Sequence, residues 1–154
     1  MCVWSRHFPE FGVSLNVYTG TITPDALMRF IDGLEPVAWT RWVNYLDPAL
    51  DLSGLDIAHI PGFKSALAEK LRELHGETHV RSALVTASPE NELALDFWPS
   101  YVGRDVRYPA EPVAYRTLDA ACEGLELPEG ACPALGEAVR EPPSRTAPPA
   151  GRRC

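Results

Sequence analysis

Residues 79–90, His79-Val80-Arg81-Ser82-Ala83-Leu84-Val85-Thr86-Ala87-Ser88-Pro89-Glu90, decide the fold. Ala83-Leu84-Val85 is a near-continuous apolar run, which suits a strand covered on both faces. Ser88-Pro89-Glu90 follows at once with a cap residue and a proline, the start signal of a helix. A doubly covered strand that feeds straight into a helix is the repeating unit of a parallel sheet with crossover helices.

The same alternation extends in both directions. Toward the N-terminus, Gly76 caps the end of a helix that runs to about His75 and carries Phe63, Leu67, Leu71 and Leu74 on one face. Pro61 is expected to interrupt it from a short turn that ends at His59, and Ser53-Gly54-Leu55-Asp56 has the S-x-x-D form of a helix cap. Trp39 to Leu46 reads as a strand stopped by Asp47-Pro48. Before it, Thr23 and Pro24 open a helix with Leu27, Phe30, Ile31 and Leu34 as its apolar stripe, closed by Gly33 and Pro36. Val13, Leu15 and Val17 alternate with Ser14, Asn16 and Tyr18, so this strand is half-buried, and residues 2–8 pair with it across Pro9-Glu10-Phe11-Gly12.

Toward the C-terminus, Leu93, Phe97, Trp98 and Tyr101 line a helix that Pro99 should kink or end. Pro112 to Tyr115 is a short strand, and Thr117 caps a last helix that buries Leu118, Ala121, Cys122 and Leu125. These elements predict one α/β sandwich over residues 1–127, an N-terminal antiparallel hairpin joined to a mainly parallel sheet. From Pro128 the character changes. Six of the 15 prolines fall in the last 27 residues, without apolar periodicity, so residues 128–154 read as a disordered Pro/Arg-rich tail. Truncation after Leu127 is then expected to leave thermal stability nearly unchanged.

Composition narrows the functional classes. With 45% hydrophobic and 23% charged residues the chain is an ordinary globular protein of one core. Residues 1–127 hold 18 acids and 10 bases, a balance of −8, and residues 128–154 hold 3 acids and 4 bases, a balance of +1. An acidic body offers no basic footprint for a nucleic acid. No run reaches membrane-spanning length, and the N-terminus has no apolar signal segment, so no membrane insertion and a cytoplasmic location are expected. Cys2, Cys122, Cys132 and Cys154 form no CxxC pair, so neither a zinc site nor a disulfide framework is indicated, and no cofactor is expected.

Four stretches carry a family resemblance. Tyr18-Thr19-Gly20-Thr21-Ile22-Thr23-Pro24-Asp25 supplies a strand, a glycine and a helix start. Tyr45-Leu46-Asp47 with Leu50-Asp51-Leu52-Ser53, then Arg81 to Ser88, then Tyr115-Arg116-Thr117-Leu118-Asp119-Ala120-Ala121 complete the set. In this order they resemble the STAS/SpoIIAA-like (STAS/SEC14-type) family over residues 11–127. The resemblance implies a small α/β domain used for regulation or for carrying lipids. In its anti-sigma-antagonist members a serine follows the aspartate of a D-S-S/T-G-L run and is phosphorylated. Here that run reads Asp51-Leu52-Ser53-Gly54-Leu55, with Leu52 in the phosphoacceptor's place. Gly124 also stands where the family commonly has a tryptophan, which implies a less packed helix end.

Asp47, Asp51, Ser53 and Asp56 cluster past the carboxyl end of one parallel strand, where open α/β sheets bind ligands. With Ser88 and Trp98 they form the expected ligand or partner face. Cap and turn chemistry accounts for Ser53 and Asp56 equally well. His75-Gly76-Glu77-Thr78-His79 is not an H-E-x-x-H motif, so no metal site is assigned. No G-x-S-x-G elbow surrounds Ser53 or Ser88, so no catalytic residue is assigned and a serine hydrolase is the weakest reading. Phe97, Trp98 and Tyr101 either fill the core or line an apolar groove. The leading expectation is a non-enzymatic binding or regulatory module with a protein partner. The alternative is a carrier of a small apolar or lipid ligand that uses the Phe97–Trp98–Tyr101 face.

Overall fold

The computed structural model describes residues 2–141, the side chains of residues 2, 90 and 92–95 excepted. Strands β1 (Cys2–Phe8) and β2 (Val13–Thr19) form the N-terminal hairpin, with Trp4 opposite Val17 and Phe8 opposite Val13. There follow helix α1 (Pro24–Asp32), strand β3 (Arg41–Leu46), helix α2 (Ile60–His75), strand β4 (Val80–Val85), helix α3 (Glu92–Val102), strand β5 (Ala110–Tyr115) and helices α4 (Leu118–Gly124) and α5 (Ala131–Arg140). The sheet order is β1-β2-β3-β4-β5, antiparallel at the first pair and parallel at the other three. The expected α/β architecture, with a hairpin on a mainly parallel sheet, is borne out.

Several boundaries follow from cap chemistry read in the sequence. The Thr23 hydroxyl accepts the Ala26 N–H at 3.3 Å at the start of α1, and the Thr117 hydroxyl accepts the Ala120 N–H at 3.2 Å at the start of α4. Two helix prolines play different parts. Pro61 lies in the first turn of α2 and starts that helix, because its missing N–H falls where no intrahelical partner exists. Pro99 neither ends nor interrupts α3, which runs on to Val102, and its carbonyl accepts the Gly103 N–H at 2.8 Å. Leu93, expected on the apolar stripe of α3, lies outside the described side chains.

The largest correction concerns the C-terminal segment. Residues 131–140 are helical, and Ala131, Leu135 and Ala138 are at most 1% exposed against the sheet. The domain therefore extends past Leu127, because Ala131, Leu135 and Ala138 repeat at i, i+4 and i+7 and bury one face despite the prolines around them. Residues 142–154 of the expected tail lie outside the described residues. Gly124 also leaves no loose end. The Tyr115 ring lies over it so closely that a β-carbon there would collide with the phenol, and the Gly124 carbonyl accepts from Arg81 Nη2 at 2.7 Å.

Side-chain alternation divides the sheet into two faces. Val13, Leu15 and Val17 join Trp4, Phe8, Val43, Ala83 and Val85 in a core closed by Ala121 of α4, Leu125 just past its end, and Leu135 and Ala138 of α5. The opposite face meets α1 and α2 through Tyr18, Leu46, Phe30 and Ile31. Each parallel strand adds beside the one before it, so right-handed crossovers put α1, α2 and α3 on that one face. The strand order never reverses along the parallel strands, so the sheet has no switch-point crevice at its carboxyl edge.

Candidate ligand cavity

The residues expected at the carboxyl edge are occupied in tying loops together. Asp47 Oδ1 accepts the Ala49 N–H at 2.8 Å. Asp51 Oδ1 accepts the Ser53 N–H at 2.9 Å, and Oδ2 accepts the Thr21 hydroxyl at 3.1 Å. Backbone bonds Asp51 N–H to Gly20 O and Ile22 N–H to Asp51 O join the same loops. The hydrogen bonds from the Ser53 backbone and side chain, with that from Thr21, hold the Asp51 carboxyl below the usual carboxylate range. Ser53 is exposed and caps no helix. Asp56 caps the short 3-10 turn Ile57–His59 that precedes α2, accepting the Ala58 N–H at 3.0 Å, while His59 Nδ1 accepts the Asp56 N–H at 3.4 Å.

Ser88 is buried. Its N–H donates to Thr86 Oγ1 at 3.2 Å and its carbonyl accepts from Asn91. The Asn91 side chain in turn donates to the Leu50 carbonyl at 3.3 Å, so the loops after β3 and β4 are joined. Trp98 stands apart from this cluster, edge-on to Tyr108 with ring centroids 6.4 Å apart. His75 packs edge-on against Trp42 and His79 is exposed, and no group of three metal-ligating side chains occurs among the described residues.

What the sequence reading missed lies under the helices. A cavity of about 210 Å³ opens between the sheet and α1, α2 and α3. Its walls come from Phe30 and Ile31 of α1, Phe63 and Leu67 of α2, and Phe97 and Trp98 of α3, and Leu52 and Leu55 reach it from the loop after β3. Native interiors hold few voids larger than a water molecule. An apolar cavity of roughly 150 Å³ is enough to take up benzene. This one opens to solvent and is walled almost wholly by apolar side chains, the composition of a ligand site rather than of a packing defect.

The floor of the cavity is polar. Asn44, Ser82 and Leu84, in the middle of the central strands, are only half-buried because the cavity reaches them. A line of hydrogen bonds crosses four strands beneath it. Ser5 donates to Asn16 Oδ1 at 2.7 Å, Asn16 Nδ2 to Asn44 Oδ1 at 3.0 Å, and Asn44 Nδ2 to Ser82 Oγ at 2.8 Å. The Tyr18 hydroxyl also donates to Asn44 Oδ1, at 3.1 Å, and complete burial raises its pKa so that it stays neutral. Trp42 Nε1 and the Tyr108 hydroxyl, both on cavity-lining residues, are buried without a hydrogen-bond partner. Each orphan of this kind costs about 1–3 kcal/mol.

A sequence signal for this floor did exist. Asn is depleted in strands, yet Asn16 and Asn44 occupy the centres of β2 and β3, directly opposite each other. Read one strand at a time, each looks like an ordinary solvent-facing position. No helix among the described residues is long and apolar enough to cross a membrane. No protein-family model, no curated protein and no solved structure matches this chain, so its function has to be read from the cavity itself.

Proposed function

We propose that the protein is a non-enzymatic binding module that holds a small apolar ligand between its sheet and helices α1–α3. The observation that carries this reading is the 210 Å³ cavity, walled by aliphatic and aromatic side chains over a few polar groups. Ligand sites generally have this composition, with apolar walls for affinity and sparse polar atoms for orientation. Phe97 and Trp98, one alternative in the sequence reading, belong to its wall. Denaturing extraction of the purified native protein followed by mass spectrometry tests the reading. A stoichiometric apolar molecule should be released by the wild type and be absent from Leu67→Trp, which fills the cavity from α2. Extracts that are empty, or identical for both proteins, would sink it.

A second reading keeps the STAS/SpoIIAA-like regulatory role, with a protein partner at the loop after β3. It is supported by the order of elements and by Ile57, which is 74% exposed next to Asp56 in that loop. Pull-down from the native host with wild type and with Asp47→Arg/Asp51→Arg tests it. Equal capture by both would remove that face from consideration.

A further inference from the structure

Resting on the cavity reading, we infer that the ligand is a neutral hydrophobic molecule bearing one hydrogen-bond acceptor, a carbonyl or ether oxygen, seated on Ser82 and Trp42. Three observations converge on it. First, Trp42 and Ser82 are direct partners in the parallel β3–β4 register, and both line the cavity. Their side chains leave the same face of the sheet one strand spacing apart, about 4.8 Å. Both residues therefore border the same part of the cavity.

Second, what remains unspent at this spot is donor capacity. Asn44 Oδ1 already accepts from Asn16 and from Tyr18. The hydrogen-bond line from Ser5 ends on Ser82 Oγ, which accepts from Asn44, and its own hydrogen finds no acceptor among the described residues. The Trp42 indole N–H, a donor only, is buried and unpartnered. A ligand acceptor would complete both groups. A ligand donor would have only the remaining Ser82 lone pair to meet.

Third, among the described residues none that lines the cavity is charged. An anionic head would therefore be desolvated without a counter-charge, which is far costlier than burying a neutral polar group. The site should discriminate between a ketone or ester and the corresponding carboxylate.

Calorimetric titration of the full-length protein at pH 8 with ethylbenzene, acetophenone and benzoate tests this directly. The three are close in size and differ in whether they carry no acceptor, a neutral acceptor or a charge. Ethylbenzene should bind wild type and, within about twofold, Trp42→Phe and Ser82→Ala. Acetophenone should weaken at least tenfold in each variant, and benzoate should bind wild type at least a hundredfold more weakly than acetophenone. Retained ethylbenzene binding shows that the variants keep the cavity. Benzoate that binds as well as acetophenone, or variants that treat acetophenone and ethylbenzene alike, would overturn the inference and leave the cavity reading intact. Failure of ethylbenzene to bind wild type would overturn both.

Discussion

The two faces of one sheet have been finished in opposite ways. Under α4 and α5 the strands present Val13, Leu15, Val43 and Ala83, none of them measurably exposed, and Leu135 closes the layer. Under α1, α2 and α3 the same strands present Ser14, Asn16, Asn44 and Ser82, and the space above Asn44 and Ser82 is not filled. The filled face supplies stability, because burial and close packing are complete there. The open face gives some of that up and leaves a space for the proposed ligand, while the polar residues at the carboxyl edge tie loops together.

The contrast predicts unequal costs for equal deletions. Truncation after Leu127 should produce the largest loss of stability, because it strips Ala131, Leu135 and Ala138 from the closed face. Leu135→Ala alone should cost about 3–4 kcal/mol. Leu67→Ala, on the wall of the open face, should cost only about 1 kcal/mol, since the side chain is half-buried and borders an existing void. Urea unfolding of the three variants ranks them, and equal costs for the two leucines would erase the distinction.

Caps give the next effect. Thr117→Ala should lose about 1 kcal/mol with its bond to the Ala120 N–H, whereas Ser53→Ala should stay within about 0.5 kcal/mol because Ser53 caps nothing. The same denaturation series distinguishes them, and a full unit lost at Ser53 would return it to the role its S-x-x-D spacing suggests.

The smallest effect is a slope with pH on the open face. Burial beside Trp42 holds the His75 imidazole below its ordinary value of 6.5. Above 6.5 it is neutral in the folded and the unfolded chain alike and adds no slope. As pH falls below 6.5 the unfolded chain takes up this proton first, so stability declines until the lowered folded value is passed. His7 is shifted in the same direction, so wild type retains a slope from it. Denaturant midpoints at pH 7.5 and 5.5 should differ more for wild type than for His75→Phe, which keeps a ring against Trp42. Identical differences would place the titration elsewhere.

Element order was legible because it is written locally. The period-two pattern of Val13, Leu15 and Val17, the caps Thr23 and Thr117, and the apolar run Ala83-Leu84-Val85 each act within a few residues of themselves. Helix α5 was missed, because the prolines of its segment pointed toward disorder and masked the helical spacing of Ala131, Leu135 and Ala138. Burial of Leu135 and Ala138 in the closed-face core beside α4 outweighs that composition.

The candidate site was not local in this sense. Ser5, Asn16, Asn44 and Ser82 are separated by at least 11 residues from one to the next, and each reads by itself as the polar half of an alternating strand. Their meeting depends on strand order and register, and the volume above them depends on how far α1, α2 and α3 stand from the sheet. Most strands and helices, and their apolar faces, could be read from the chain alone, because hydrophobic period and cap chemistry act at short range. That the polar row would assemble across four strands, with a cavity over its Asn44–Ser82 end, was settled only when the elements packed. Packing three helices against a common sheet is a many-body outcome that no single stretch of chain encodes.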